Sequence, residues 1–239
     1  LTIRLDFAIL LLFAHTTPHS STAMKSDFYE KYFTTRYAPM PARDRVWKVL
    51  AAYLGRYIPE GAAVLDLGTG HGGFINHVRA KERHAVDHHK SAEISLHPDV
   101  VFARRDVSDL SNYPGNRFDV VFASNLLEHL TTDAIVKTLA EVSRILKPGG
   151  RFIVMQPNFA YAYRQYFDDY THERIFTHVS LADLLASFGF VLRKIRPKFL
   201  PFSMRSKLAP HPLLVKLYLH SPWKPFAGQM LIVAEKPVD

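Results

Sequence analysis

Short apolar runs alternate with longer amphipathic segments through most of this chain, and that alternation restricts its fold more than any other feature. Residues 62–67, 83–86, 100–103, 118–123 and 151–155 are short runs between these segments and read as buried strands. Strands buried on both sides and separated by helical segments imply an α/β fold, a doubly wound sheet that is mostly parallel, with helices on both faces. In the first helix, predicted within 43–57, Val46, Trp47, Leu50, Ala51 and Leu54 fall at helical spacing before Gly55, Pro59 and Gly61 break the pattern. A second is predicted over 132–146, with Ile135, Val136, Leu139, Val142, Ile145 and Leu146 on one face and Lys147-Pro148-Gly149-Gly150 as its stop. A third is predicted over 180–188, with Thr177 or Ser180 as its cap and Gly189 as its end. The tail holds two strand-like runs, 190–196 and 230–235.

A chain of 239 residues can bury one sizeable core, so a single domain is expected over 24–239. With no cysteine there is no disulfide framework, thiolate metal site or cysteine nucleophile, which fits a reducing, cytoplasmic setting. The formal net charge of +8 favours an anionic partner: a phosphorylated substrate, a nucleic acid or an acidic membrane surface. The apolar run 7–14 is too short to span a bilayer, and Asp6 interrupts the basic flank that an export signal needs. Met24 offers a natural start, so residues 1–23 are expected to be an upstream or disordered extension.

The first predicted strand ends in Val64-Leu65-Asp66-Leu67-Gly68-Thr69-Gly70-His71-Gly72-Gly73. Glycines there let a backbone approach a ligand, and a helix following them would present its N-terminal amides. Gly68, Gly70 and Gly73 also satisfy the spacing of a dinucleotide-binding loop, which makes a nicotinamide or flavin enzyme the first rival. Asp66 speaks against that rival, because a carboxylate inside the strand is badly placed beside a pyrophosphate.

The whole run resembles the first motif of the class I S-adenosylmethionine (SAM)-dependent methyltransferases. Later segments, including 118–130 and 145–153, match that family in order and spacing, over about residues 40–239. The resemblance implies a seven-stranded sheet whose reversed last strand, 230–235, is inserted beside 190–196. It implies SAM as cofactor, held by Asp66, Gly68, Thr69, Gly70 and Gly72, with Asp66 near the ammonium or sulfonium. By the same resemblance Asp87, with His88 beside it, meets the ribose hydroxyls, Asp106 the adenine amino group, Val107 the ring, and Asn125 the loop after the fourth strand. His88 and His89 suggest a metal, yet no acidic set at ligand spacing accompanies them; they read as solvated loop histidines, and no metal site is expected.

The segment 156–178 is longer than a connection in this scaffold requires, and it is aromatic and polar, which suggests acceptor binding. An alcohol acceptor benefits from a positioned base. His172 is the leading candidate, with Asp169 to orient it, and Thr171-His172-Glu173-Arg174-Ile175-Phe176-Thr177 resembles a pattern found in bacterial methyltransferases. His129 joins the set, although its segment occurs in relatives with many substrates, which favours a structural role. Residues 198–227 form a second insertion that mixes Lys and Arg with Leu, Phe, Tyr and Trp, suited to peripheral contact with the inner face of a membrane. Similar tails occur in methyltransferases of cell-envelope glycan or glycolipid assembly, so the resemblance implies a small, glycan- or lipid-linked acceptor methylated on a hydroxyl. An RNA methyltransferase, motivated by the charge, and a SAM-binding module without catalysis are the alternatives.

Overall fold

The computed structural model describes residues 41–201 and 211–238. The expected N-terminal extension, the Met24 start, and Arg205 and Lys207 of the second insertion lie outside the described residues.

The strands are β1 (Ala63–Leu67), β2 (Glu82–Asp87), β3 (Val100–Arg104), β4 (Phe118–Ser124), β5 (Leu146–Pro157), β6 (Val191–Pro201) and β7 (Ala227–Glu235). They form one seven-stranded sheet in the order β3-β2-β1-β4-β5-β7-β6. The pairs from β3 to β5 are parallel, and β7 runs antiparallel between β5 and β6. This is the expected mostly parallel sheet with an inserted, reversed last strand. The order reverses between β1 and β4, where Leu67 is paired with Ala123, so the loops leaving these two strand ends diverge around a crevice.

Alternate side chains along each strand feed two cores. On one face Leu65, Leu67, Val121 and Phe152 meet Ile135, Leu139, Val142 and Ile145, and also Leu181 and Leu185. These six come from α3 (Thr132–Ile145) and α5 (His178–Ser187). On the other face Val64, Phe122 and Ile153 meet Trp47, Leu50 and Leu54 of α1 (Pro41–Leu54), with Leu219 of α6 (Pro212–His220). Each large apolar side chain buried this way contributes about 1.5–3 kcal/mol. Two four-residue helices, α2 (Ser91–Ile94) and α4 (Phe159–Ala162), are the other α-helices among the described residues.

The helix expected after the glycine loop does not form. Residues 70–77 are a succession of turns, because Gly70 and Gly72 adopt φ of 55° and 72°, outside the helical region. The segment is instead held by packing: Phe74 stacks on Phe122 with ring centroids 3.9 Å apart, and Trp47 lies against Gly73, where a Cβ would stand 2.5 Å from the indole Cδ1. Lys147 to Gly150 end α3 as expected but are drawn into β5, with Gly149 N–H donating to Lys236 O and Lys236 N–H to Gly150 O. At α5 both cap candidates act, Thr177 and Ser180 closing a reciprocal capping box. Among the described residues no helix is long and apolar enough to cross a membrane.

Candidate active site

On the β1 and β2 side of the crevice, two buried carboxylates hold the glycine loop. Gly68 N–H donates to Val86 O at 2.8 Å, folding the loop over the end of β2. Asp87 accepts from Gly70 N–H at 2.9 Å and from His89 N–H at 2.8 Å. Asp66, 3% exposed, accepts from the Thr69 hydroxyl at 2.7 Å. Burial pushes the Asp66 carboxyl up to about 7; Asp87 adds to the rise, while Thr69 and the Ile75 amide oppose it. No Lys or Arg forms an ion pair with Asp66 among the described residues. Two carboxylates with no Lys or Arg paired to them among the described residues, beside a glycine backbone with left-handed turns, suit a ligand that brings its own positive charge and hydroxyls, and SAM fits that description.

The remaining cofactor-side residues are less uniform. Asp106 is exposed and accepts from the Ser108 amide and hydroxyl at 2.8 and 2.7 Å, so one of its oxygens serves a local turn. Val107 is buried in the core shared with Leu67 and Val86. His88 is exposed, 3.7 Å from Asp87, whereas His89 is buried, which corrects the expectation of two solvated histidines. Asn125 is exposed at φ 48°, and its side-chain oxygen accepts from Gln229 at 3.3 Å.

The chain leaving β4 ties the two halves of the crevice together. A Cβ on Gly68 would stand 2.8 Å from Leu126 Cδ1, so the glycine loop packs directly on this segment. Leu127–His129 then forms one 3₁₀ turn that buries Glu128 completely. The Glu128 carbonyl accepts from Glu173 N–H at 2.8 Å and Arg174 N–H at 3.1 Å, docking the 156–178 insertion onto this turn.

That docking brings the three acceptor-side candidates together. Thr171 donates its hydroxyl proton to Asp169 at 2.6 Å, and Thr171 Oγ1 lies 2.9 Å from His129 Nδ1. The Thr171 carbonyl is 3.2 Å from the same nitrogen. A carbonyl can only accept, and the Thr171 proton is committed to Asp169, so Nδ1 carries the proton and Nε2 holds the lone pair. The carboxylate expected to orient His172 thus reaches His129 through Thr171. His172 sits beside it, its ring centroid 4.8 Å from that of His129 and 4.6 Å from that of Tyr166. Burial, with His172 adding, pushes His129 down to about 4, and burial, with Asp169 adding, pushes Glu128 up to about 8. Glu128 and Thr171 are the residues that the sequence reading passed over. The signal for Glu128 was a carboxylate between two leucines, Leu126-Leu127-Glu128-His129-Leu130, in a run that has to be buried.

Beyond this cluster the insertions enclose a cleft of about 350 Å³, lined among others by Tyr161, Tyr163, Arg164, Lys198, Lys224 and Phe226. Lys198 lies 4.5 Å over the Tyr161 ring. A cleft with three cations and three aromatic rings at the carboxyl edge of the sheet can hold an acceptor that joins an anionic group to an apolar body. A second cleft, of about 440 Å³, lies at the opposite sheet edge around Arg151, Arg193 and Glu235, away from the glycine loop.

A family model described as a methyltransferase domain matches residues 40–195. Dimethylglycine N-methyltransferase of Parasynechococcus marenigrum is 33% identical over 144 residues, covering 53% of this chain and 48% of that protein. Phosphoethanolamine N-methyltransferase of Plasmodium falciparum is 23% identical over 178 residues, covering 68% and 65%. The chain spans about half the length of the curated relatives it matches. A solved structure of Burkholderia thailandensis 1,6-didemethyltoxoflavin-N1-methyltransferase, with 1,6-didemethyltoxoflavin and S-adenosylhomocysteine bound, superposes with a TM-score of 0.57 at 24% identity. It covers 93% of this chain and 92% of its own, a likeness of fold.

Proposed function

The chain belongs to the methyltransferase-domain family, and from that membership we propose that it is a SAM-dependent methyltransferase acting on a hydroxyl of a small, glycan- or lipid-linked acceptor with an anionic group. In this reading Asp66, Gly68, Thr69, Gly70, Gly72 and Asp87 hold the cofactor, with His88, Asp106, Val107 and Asn125 at its margins. SAM, when bound, supplies a methyl group on a positively charged sulfur. Methyl transfer is an in-line displacement, so the protein has chiefly to align the acceptor and exclude water.

The observation that carries the hydroxyl reading is the Asp169–Thr171–His129 chain, which leaves a lone pair on His129 Nε2 beside His172. A hydroxyl is a poor nucleophile near neutral pH. In the metal-free protein one of these two imidazoles would take the acceptor's proton as its oxygen takes the methyl carbon, the carbon–sulfur electron pair leaving with the sulfur of S-adenosylhomocysteine. Arg164, Lys198 and Lys224 in the neighbouring cleft support an anionic group on the acceptor. A lipid-linked acceptor and peripheral membrane contact are supported by α6, whose Leu213, Leu214 and Leu217 are exposed, as are Trp223 and Phe226 after it. Lys216 and Lys224 stand among them. Both curated relatives quoted are named for N-methylation, which makes an amine acceptor the second reading.

Calorimetric titration with SAM, S-adenosylhomocysteine and NAD tests the cofactor. Binding of the two adenosyl ligands and not NAD is expected; binding of NAD alone would overturn the reading. Labelled-methyl transfer to paired phosphorylated alcohols and amines then tests the acceptor, and turnover of amines only would replace the hydroxyl reading by the second.

A further inference from the structure

We propose that Glu128, His129 and His172 form a binding site for one divalent first-row transition-metal ion. One carboxylate oxygen and one nitrogen of each imidazole lie within 4.8 Å of one another. Ligands about 2.1 Å from a tetrahedral ion stand roughly 3.4 Å apart, so each atom has to move by at most about 0.8 Å to close on it.

Glu128 is the reason to expect an ion there. Its side chain is fully buried, and neither carboxylate oxygen has a hydrogen-bond partner among the described residues. Ionised or protonated, a carboxyl group shut away from water without partners is costly, and a native fold retains one where something else completes it. The histidine beside it has the tautomer fixed by a partner, as in metal-bound histidines: His129 Nδ1 donates to Thr171, which Asp169 fixes, so Nε2 is the nitrogen that carries the lone pair. The two segments supplying ligands are also fixed to each other, since the Glu128 carbonyl accepts from the Glu173 and Arg174 amides.

Two imidazoles and one carboxylate suit Zn²⁺, Mn²⁺, Fe²⁺ or Co²⁺ and do not suit Mg²⁺ or Ca²⁺, which prefer oxygen donors. Three protein ligands leave coordination positions open. The use made of the ion rests on the proposed methyl transfer: an acceptor oxygen in an open position would lose its proton to solvent more readily, and His129 and His172 would be ligands in place of bases.

Co²⁺ titration of chelator-treated protein tests the site, followed by visible absorption, with metal content measured after desalting. One Co²⁺ per chain is expected, with the absorption of a nitrogen- and oxygen-ligated ion and a rise in the wild-type melting temperature. Glu128→Gln and His172→Ala should each weaken uptake by more than about tenfold, and Thr171→Val, which loosens His129 only, by roughly tenfold to a hundredfold. No uptake and no thermal shift in the wild type would overturn the proposal, as would uptake unchanged in folded Glu128→Gln. SAM titrated into the same metal-free samples separates the two readings. SAM binding without Co²⁺ uptake removes the metal site alone, and Co²⁺ uptake without SAM binding removes the methyltransferase reading alone.

Discussion

Replacing Asp87 by Ala removes the acceptor of two backbone amides, Gly70 N–H at 2.9 Å and His89 N–H at 2.8 Å, from a position 4% exposed to solvent. A hydrogen bond to a charged group is worth about 1.5–3 kcal/mol, and a donor left unsatisfied in a buried place costs a similar amount. Part of that loss is offset, because Asp87 also repels the Asp66 carboxylate. The net destabilisation expected for the ligand-free protein is therefore about 2–4 kcal/mol. Asp87→Asn keeps one accepting oxygen and turns an NH₂ toward the other amide, so about half of that loss is expected. Urea unfolding without ligand measures this term. SAM affinity should fall further, by roughly a hundredfold or about 2.7 kcal/mol, because the loop loosens and the proposed ribose contact disappears together. Calorimetric titration of the folded variant measures that second term. Unchanged SAM affinity in Asp87→Ala would refute the cofactor map. Weakened affinity at unchanged stability would refute the claim that Asp87 holds the glycine loop.

Three further outcomes follow from other parts of the structure. Asp66 has a folded pKa of about 7 against an ordinary 3.8, so its protonation favours the native state. Its contribution is fully present below about pH 4 and is lost as pH rises through 7, on the order of 4 kcal/mol in all. Wild-type stability measured against Asp66→Asn should fall over that window, while SAM affinity rises through pH 7 in the wild type only; parallel stability profiles would remove the argument. Gly73→Ala places a Cβ 2.5 Å from the buried Trp47 ring, and the overpacking should cost about 1–3 kcal/mol. Trp47→Leu should relieve part of it, and strict additivity in a denaturant double-mutant cycle would show that the two do not meet. If α6 contacts a membrane, the wild type should co-sediment with anionic-lipid vesicles and Leu214→Asp with Leu217→Asp should not; no wild-type binding, or binding retained in the variant, would count against that contact.

The fold was legible because its central strands, β1 and most of β4 and β5, are buried on both faces, whereas the edge strand β3 leaves Val101 exposed. Runs such as 118–123 then have no competing reading as exposed strands, and the reversed tail followed from the family resemblance. The segment after the glycine loop was not legible, since its glycines read equally as the approach to a helix. What decides it is the contact of Trp47 with Gly73 and the stacking of Phe74 on Phe122, between residues far apart in sequence. The metal expectation turned on His88 and His89, whose adjacency is visible in the sequence. The group that the fold assembles spans residues 128 to 172, and no local spacing rule relates His172 to the adjacent Glu128 and His129.

The sheet order explains why those distant residues meet. Where β1 and β4 lie side by side, a loop from β1 turns toward β2 and the chain from β4 turns toward β5. The two Asp side chains and the glycine backbone therefore collect on one side of the crevice, the imidazoles and Glu128 on the other, with Leu126 against Gly68 as the hinge between them. A larger residue at 68 would be strained at φ 63° and would have to displace the Leu126 side chain, which directly precedes the turn carrying Glu128 and His129. Gly68→Ala should accordingly disturb both sides at once, weakening SAM binding and Co²⁺ uptake together. Loss of SAM binding with Co²⁺ uptake intact would show that the two halves of the site are mechanically independent.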